Sequence, residues 1–316
     1  MRHALAKLLP FVFLIALVAV LSATTPGFFT LNNAATILRF SSVIIIMGVG
    51  MTFVIISAGI DLSVGSVLAF TSIIAAWAVK AGVPLGWSLL LGVLTGTAWG
   101  TFNGGLIILF GLPPFVVTLA SMWLARGSAT LLSKWISGYG TSIEITSAGF
   151  DFVGSGNIAG HIPTPFVITA VVVAIGGYVL RHTRLGRYTF AIGSNVEAAR
   201  FSGIAVRRYT MAVYVILGTL AGIAGMIEAS INRGGHATLG EGYELQVIAA
   251  VIIGGGSFSG GVGSIAGTIT GALIMGVIRN GCILIGLDYE WQLVVISLLI
   301  IIAVAFDTFQ RRRTGA

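Results

Sequence analysis

Residues Arg181–Arg208 read RHTRLGRYTFAIGSNVEAARFSGIAVRR, a basic, glycine-punctuated island between two long apolar stretches. The island holds six of the 17 Lys/Arg residues and one acid, Glu197, in a chain that is only 9% charged. A connection that positive between membrane helices is retained on the cytoplasmic side. It also carries helix signals of its own. Asn195 can cap a short helix, Glu197 falls in the first turn, Ala198-Ala199-Arg200 propagate it, and Gly203 supplies the stop. Two readings stand: a docking helix for a soluble partner, or a charged loop that only sets topology.

Composition decides the class. Hydrophobic residues make up 56% and the mean hydropathy is +1.02. With 17 basic and 10 acidic side chains, the 316 residues could not cover a water-facing surface of that apolarity. The 44 glycines suit close helix packing in lipid. A single cysteine, Cys282, excludes an internal disulfide and a Cys-rich metal site. The pI near 10.0 does not point to nucleic acid, because the basic residues flank apolar spans and form no separate basic domain.

A span needs about 20 apolar residues. On that rule the sequence predicts an all-α integral membrane protein, a polytopic bundle of about ten transmembrane helices. They are expected near 8–23, 41–57, 62–80, 86–109, 115–134, 164–180, 210–231, 245–257, 263–281 and 291–306. Residues 1–316 then form one transmembrane domain. The first segment reads as an uncleaved helix. A cleaved signal is the alternative, but Leu21 is a poor small-residue position for a cut after Ala23. With the N-terminus inside, basic residues divide 11 inside to 6 outside, which places both termini in the cytoplasm. Residues 135–163 become an extracytoplasmic loop and 181–208 a cytoplasmic one.

Two Gly/Ser-rich interruptions, near 57–66 and 254–264, echo each other: ISAGIDLSVGS against IGGGSFSGGVGS. Paired interruptions of this kind line cavities in transporters, because unwound backbone at depth must face water or protein. Chance similarity between Gly/Ser-rich segments is the competing reading. Asp61 stands between two apolar runs, where a carboxylate is costly without a partner. It can cap the following helix or meet a polar substrate. The candidate substrate path comprises Ser57, Asp61, Ser63, Ser66, Asn103, Ser257, Ser259, Ser264 and Asn280. Each of these groups can equally bond a neighbouring helix.

Gly92, Gly96, Gly100 and Gly104 recur every four residues, and Gly263, Gly267 and Gly271 repeat the pattern. That spacing lays a flat strip on one helix face for close packing. There is no GxxxxGK[ST] motif, so the chain carries no P-loop for ATP. His3, His161, His182 and His236 are scattered without metal-ligand spacing. No catalytic residue, metal or cofactor is expected. The scarcity of intramembrane acids in series argues against a proton-driven carrier.

Three blocks, taken together, resemble ribose/xylose-type ABC sugar permeases. The first is GVGMTFVIISAGIDLSVGS (48–66). The second runs from TRLGR (183–187) through AIGSNVEAAR (191–200) to SGI (202–204). The third joins GYEL (242–245), IAAVIIGGGS (248–257) and GGVG (260–263), with Asn280-Gly281 following. Cys282 departs from the family's usual Leu. The resemblance covers residues 30 to 307 and implies a permease subunit for a monosaccharide, working as a pair of permeases. It implies a cytoplasmic ABC ATPase and an extracytoplasmic sugar-binding protein as partners. It makes Gly193, Asn195, Glu197, Ala198, Ala199, Arg200 and Gly203 the ATPase-coupling loop. The same architecture carrying a nucleoside or sugar-like signal, and a stand-alone secondary carrier, are the alternatives.

Overall fold

The computed structural model describes residues 2–314 apart from 139 and 146. The side chains of 1–7, 148, 289, 300, 303–304 and 306–316 lie outside the described residues, among them Arg2, Lys7 and the Arg311-Arg312-Arg313 tail. The chain opens with α1 (Arg2–Thr24), α2 (Leu31–Ile56), α3 (Val64–Lys80), α4 (Leu85–Phe110) and α5 (Pro114–Ser137). A small region follows with β1 (Ser142–Glu144), α6 (Ala148–Ser155), β2 (Asn157–Ile158) and β3 (Ile162–Pro163). Then come α7 (Thr164–His182), α8 (Arg184–Ser194), α9 (Val196–Phe201) and α10 (Val206–Ile231). The chain ends with β4 (Gly234–His236), α11 (Tyr243–Ile253), α12 (Ile265–Ile285) and α13 (Tyr289–Thr314).

The architecture is all-α, as composition requires, and each of the ten expected segments falls on a helix: α1–α5, α7 and α10–α13. Among the described residues, six are long and apolar enough to cross a bilayer alone: α2, α4, α5, α7, α10 and α12. Shorter apolar stretches, including all of α3 and α11, accompany them. The number falls below ten in part because the breaks expected near 57–66 and 254–264 leave α3 with 17 residues and α11 with 11.

Helix ends follow the chemistry at their boundaries. Thr30 starts α2, its hydroxyl accepting from Asn33 N at 3.3 Å. That start lies ten residues before the expected one, because Asn32, Asn33 and Arg39 disguise the first turns as polar. Pro114 opens α5 at a position where its missing N–H costs nothing. Gly111 (φ +64) and Gly286 (φ +81) end α4 and α12 in the left-handed conformation.

Helix α2 is the axis of the bundle, buried without a break from Ser41 to Ile56. It is apolar on all sides because α7, α10, α11 and α12 surround it. On its flank α4 lies against α10 through the glycine strip. In lipid there is no hydrophobic force between helices, so van der Waals contact has to be close. A Cβ at Gly96 would collide with Gly218 O and lie 2.8 Å from Gly222 N, while one at Gly104 would meet Met211 Sδ at 2.9 Å. The second strip does the same for α12 on α11, where Gly267 meets Gly254 and Gly271 meets Ala250 O.

Gly96 and Gly105 share one helix but differ in surroundings, since nothing lies within 4 Å of a Cβ at Gly105. Gly96→Ala is therefore expected to destabilise the detergent-solubilised protein by about 1–3 kcal/mol through overpacking. Gly105→Ala leaves stability unchanged or slightly raised. Thermal unfolding of the two variants checks this.

Candidate functional site

The two chain breaks meet. Helix α2 stops at Ile56, and Ser57 and Ala58 turn the chain, Ala58 with φ +59. The second break turns at Gly255, Gly260 and Gly261, all with positive φ. Gly261 N donates to Ile56 O at 2.8 Å, joining the breaks backbone to backbone. The end of α8 closes over this bond. A Cβ at Gly193 would collide with Ile56 O and lie 2.6 Å from Gly261 N, and one at Gly260 would lie 2.7 Å from Gly193 O. Three stretches of main chain touch here because glycine leaves no side chain between them.

Helix α8 reaches this junction because it is amphipathic. Gly186, Thr189, Ile192 and Gly193 are buried at helical spacing, while Arg184 and Arg187 point outward. Asn195 then ends α8 and caps α9, its Oδ1 accepting from Ala198 N at 2.9 Å. Only Ala199 of α9 is buried. Glu197 and Arg200 form an exposed ion pair at 3.2 Å, and Gly203 (φ +80) follows the helix. Phe201, at the end of α9, is 90% exposed. The single helix expected at 195–203 is thus the second of two.

The sequence-selected polar residues fall into separate groups. Asp61, Ser63 and Asn103 form one knot, all buried. Asp61 Oδ1 accepts from Ser63 N at 2.7 Å and from Ser63 Oγ at 2.6 Å. Asn103 Nδ2 donates to Ser63 Oγ at 2.9 Å and to Asp61 Oδ2 at 3.3 Å. Asp61 precedes the N-cap of α3, which is Ser63, so it steadies the turn into that helix. A cavity of about 10 Å³ lies against Asp61, Ser63 and Asn103, on the order of one water molecule. Asn103 Oδ1 has no hydrogen-bond partner in the protein.

The others lie elsewhere. Ser57 Oγ donates to Val54 O within its own helix, and Ser66 is buried on α3. Ser257 Oγ accepts from Ser259 N at 3.2 Å, and Ser264 caps α12 by accepting from Gly267 N at 3.0 Å. Asn280 exchanges two hydrogen bonds with Asn33 at 2.9 and 2.8 Å, tying α12 to α2. The two breaks touch, but the Asp61 carboxylate turns away from the second one toward α4.

A further polar cluster had no place in the sequence reading. Tyr243 OH donates to Glu228 Oε1 at 3.1 Å, and Asn232 Nδ2 approaches the same oxygen at 3.4 Å. Arg279 Nη1 donates to Tyr243 OH at 3.4 Å, and its guanidinium lies 4.8 Å above the Phe40 ring. Nearby, Arg126 donates from Nη1 to Ala237 O at 2.6 Å and Leu239 O at 2.7 Å, holding the loop before α11. The available signal was the isolated charges inside apolar helices, Glu228 in α10 and Arg279 in α12.

A bundle of apolar helices whose two chain breaks meet beneath a pair of short helices at one end defines a polytopic membrane protein. The family model described as "Branched-chain amino acid transport system / permease component" matches residues 33–304, and the chain belongs to that family. It is 41% identical over 294 residues to the "Ribose import permease protein RbsC" of Escherichia coli (strain K12), covering 93% of this chain and 91% of the relative. It is 38% identical to the "D-allose transport system permease protein AlsC" of the same strain, over 94% of this chain and 90% of the relative. To the "Fructose import permease protein FrcC" of Rhizobium meliloti it is 36% identical, over 90% and 80%. No solved structure matches the chain.

Removing Asp61 leaves Ser63 N, Ser63 Oγ and Asn103 Nδ2 without their shared acceptor. Asp61→Ala should cost about 1–3 kcal/mol of stability. Asp61→Asn retains an acceptor oxygen and should cost distinctly less. Membrane accumulation and thermal unfolding of both variants give the comparison, and equal losses would contradict the hydrogen-bonding role.

Proposed function

We propose that this chain is the permease subunit of an ATP-binding-cassette importer that carries a monosaccharide of the pentose or hexose class. The observation that carries this reading is the near full-length likeness to import permeases named for ribose, allose and fructose. The family description mentions branched-chain amino acids, but these relatives favour a sugar. Energy comes from a separate cytoplasmic ATPase subunit, and the sugar arrives on an extracytoplasmic binding protein. A second copy of this chain, or a close relative, completes the pore in a bacterial inner membrane.

The domain assignment follows from the charge split: a single transmembrane unit over 1–316, with 181–208 cytoplasmic and 135–163 extracytoplasmic. The α8–α9 geometry supports docking on the ATPase. Phe201 presents an apolar side chain beside the Glu197–Arg200 pair, a surface suited to a protein cleft and unsuited to water. The coupling loop is Gly193, Asn195, Glu197, Ala198, Ala199, Arg200 and Gly203. Asp61, Ser63 and Asn103 anchor the wall of the sugar path. Ser57, Ser66, Ser257, Ser259, Ser264 and Asn280 supply its remaining hydroxyl and amide groups.

Glu197→Arg places like charges one helical turn apart, a loss of about 0.5 kcal/mol to the helix itself. It and Phe201→Asp should leave membrane insertion intact while lowering uptake about tenfold, equivalent to about 1.4 kcal/mol of docking energy. Wild-type uptake in both would sink the docking assignment. Orientation is tested by single cysteines in a Cys282→Ser background. A cysteine at His161 should react with an impermeant thiol reagent in intact cells, and one at Ser202 only after permeabilisation.

A further inference from the structure

The Glu228–Tyr243–Arg279 cluster is the most heavily functionalised spot in the bundle that the Asp61 knot does not include. Glu228 lies in the last turn of α10, Tyr243 opens α11, Arg279 belongs to α12 and Phe40 to α2. Glu228 and Tyr243 are buried, and Arg279 and Phe40 are half-buried. Charged side chains within apolar helices are costly without a partner, and such residues mark substrate or ion paths by default. Here an acid and a base enter the same place from different helices, with the Tyr243 hydroxyl between them.

We propose that Glu228, Tyr243 and Arg279, with the Phe40 ring beside them, form a subsite that binds sugar hydroxyls during passage. The assignment rests on the monosaccharide-importer reading. Its chemistry fits a polyol: a carboxylate accepts from hydroxyls, a guanidinium donates to them in a fixed fork, and a phenol does both. An aromatic face offers the apolar side of a sugar ring a surface. The internal bonds of the cluster are long: the O–H···O bond is 3.1 Å against a usual limit of about 3.0 Å, and the two N–H···O bonds are 3.4 Å against about 3.2 Å. Loose bonds can be exchanged for hydroxyl contacts at little cost. At the Asp61 knot, by contrast, one carboxylate oxygen is held by two short bonds of 2.6 and 2.7 Å. The subsite also stands where α11 begins after a non-helical stretch, Gly242 having φ +76.

The test uses the whole transporter in intact cells, with D-ribose, D-allose and D-fructose at saturating concentration. Tyr243→Phe deletes one hydroxyl and Glu228→Gln one charge, each with shape retained. Gly105→Ala, whose added methyl meets nothing within 4 Å, is the control. The binding protein is the same throughout, so its preferences cancel in the ratio of variant to wild-type uptake. A contact with sugar hydroxyls makes that ratio differ between the sugars by about threefold or more, because an unpaired polar group in a site penalises each substrate differently. Membrane accumulation and thermal stability should stay at the control level. Equal ratios for every sugar carried, or uptake losses that only track reduced accumulation, overturn the subsite and leave the cluster as structural glue. A wild type that carries none of the three sugars sinks the importer reading, and the subsite with it.

Discussion

Main chain packed inside an apolar bundle has no water to bond, so every break in a helix must be closed by protein. This chain closes its two breaks on each other, through the bond from Gly261 N to Ile56 O. The arrangement dictates what surrounds it. Gly193 must lack a side chain for α8 to pass over the bond, and Gly260 must lack one to lie against Gly193 O and Ala58. Gly254 must let Gly267 approach so that α12 can start beside the end of α11. Glycines far apart in sequence are therefore answers to one problem. The paired helices α8 and α9 are fixed to the bundle at the same spot, so the exposed end at Phe201 stands on a stiff base.

Much of this was legible because its causes are local or periodic. The glycine strip from Gly92 to Gly104 follows from a spacing of four on a helix, and its partner surface on α10 contains Gly218 and Gly222. The Asn195 cap and Gly203 stop of α9 could be read from single residues. The interruptions at 57–66 and 254–264 announced themselves by composition. What stayed hidden was non-local or disguised. The beginning of α2 was masked by Asn32, Asn33 and Arg39, of which Asn33 bonds Asn280 and Arg39 bonds Ser155 O and Asn157 Oδ1. Helix α6 hid in a Gly/Ser-rich loop, although it buries Phe150 completely. The partnership of Asp61 with Asn103, or of Glu228 with Tyr243 and Arg279, depends on packing that no spacing rule encodes.

The polar residues also divide by what surrounds each charge. Asp61 is satisfied by two short bonds from one serine and backed by an amide, in a cavity on the order of a single water molecule. That combination suits an anchor. Glu228 shares a single carboxylate oxygen between a phenol and an amide at longer range, with the charge of Arg279 acting on it across the Tyr243 hydroxyl. An apolar bundle can hold ionised groups in either way, but only the second leaves contacts that another polar molecule could replace.

The anchors on either side of the first break constrain how the bundle can deform. Ile56 is held by Gly261 and covered by Gly193, which ties the end of α2 to the second break and to α8. Asp61 is held to α4 through Asn103, and Ile60 O accepts from Tyr214 OH of α10 at 3.2 Å and from Thr118 Oγ1 of α5 at 3.4 Å. Between these fixed points Ser57, Ala58 and Gly59 are bonded back to the end of α2, their N–H groups donating to Phe53 O, Ile55 O and Val54 O at 3.1, 3.0 and 2.9 Å. Ala58 already occupies a left-handed conformation that an alanine adopts at a cost of about 1 kcal/mol or more. A displacement of α8 and α9 relative to α4, α5 and α10 therefore finds no slack in that stretch and has to break a buried hydrogen bond. Each main-chain group left unpaired costs about 1–3 kcal/mol. The bond from Gly261 N to Ile56 O and the close fit of Gly193 thus couple any movement of α8 and α9 to the end of α2 and the second break.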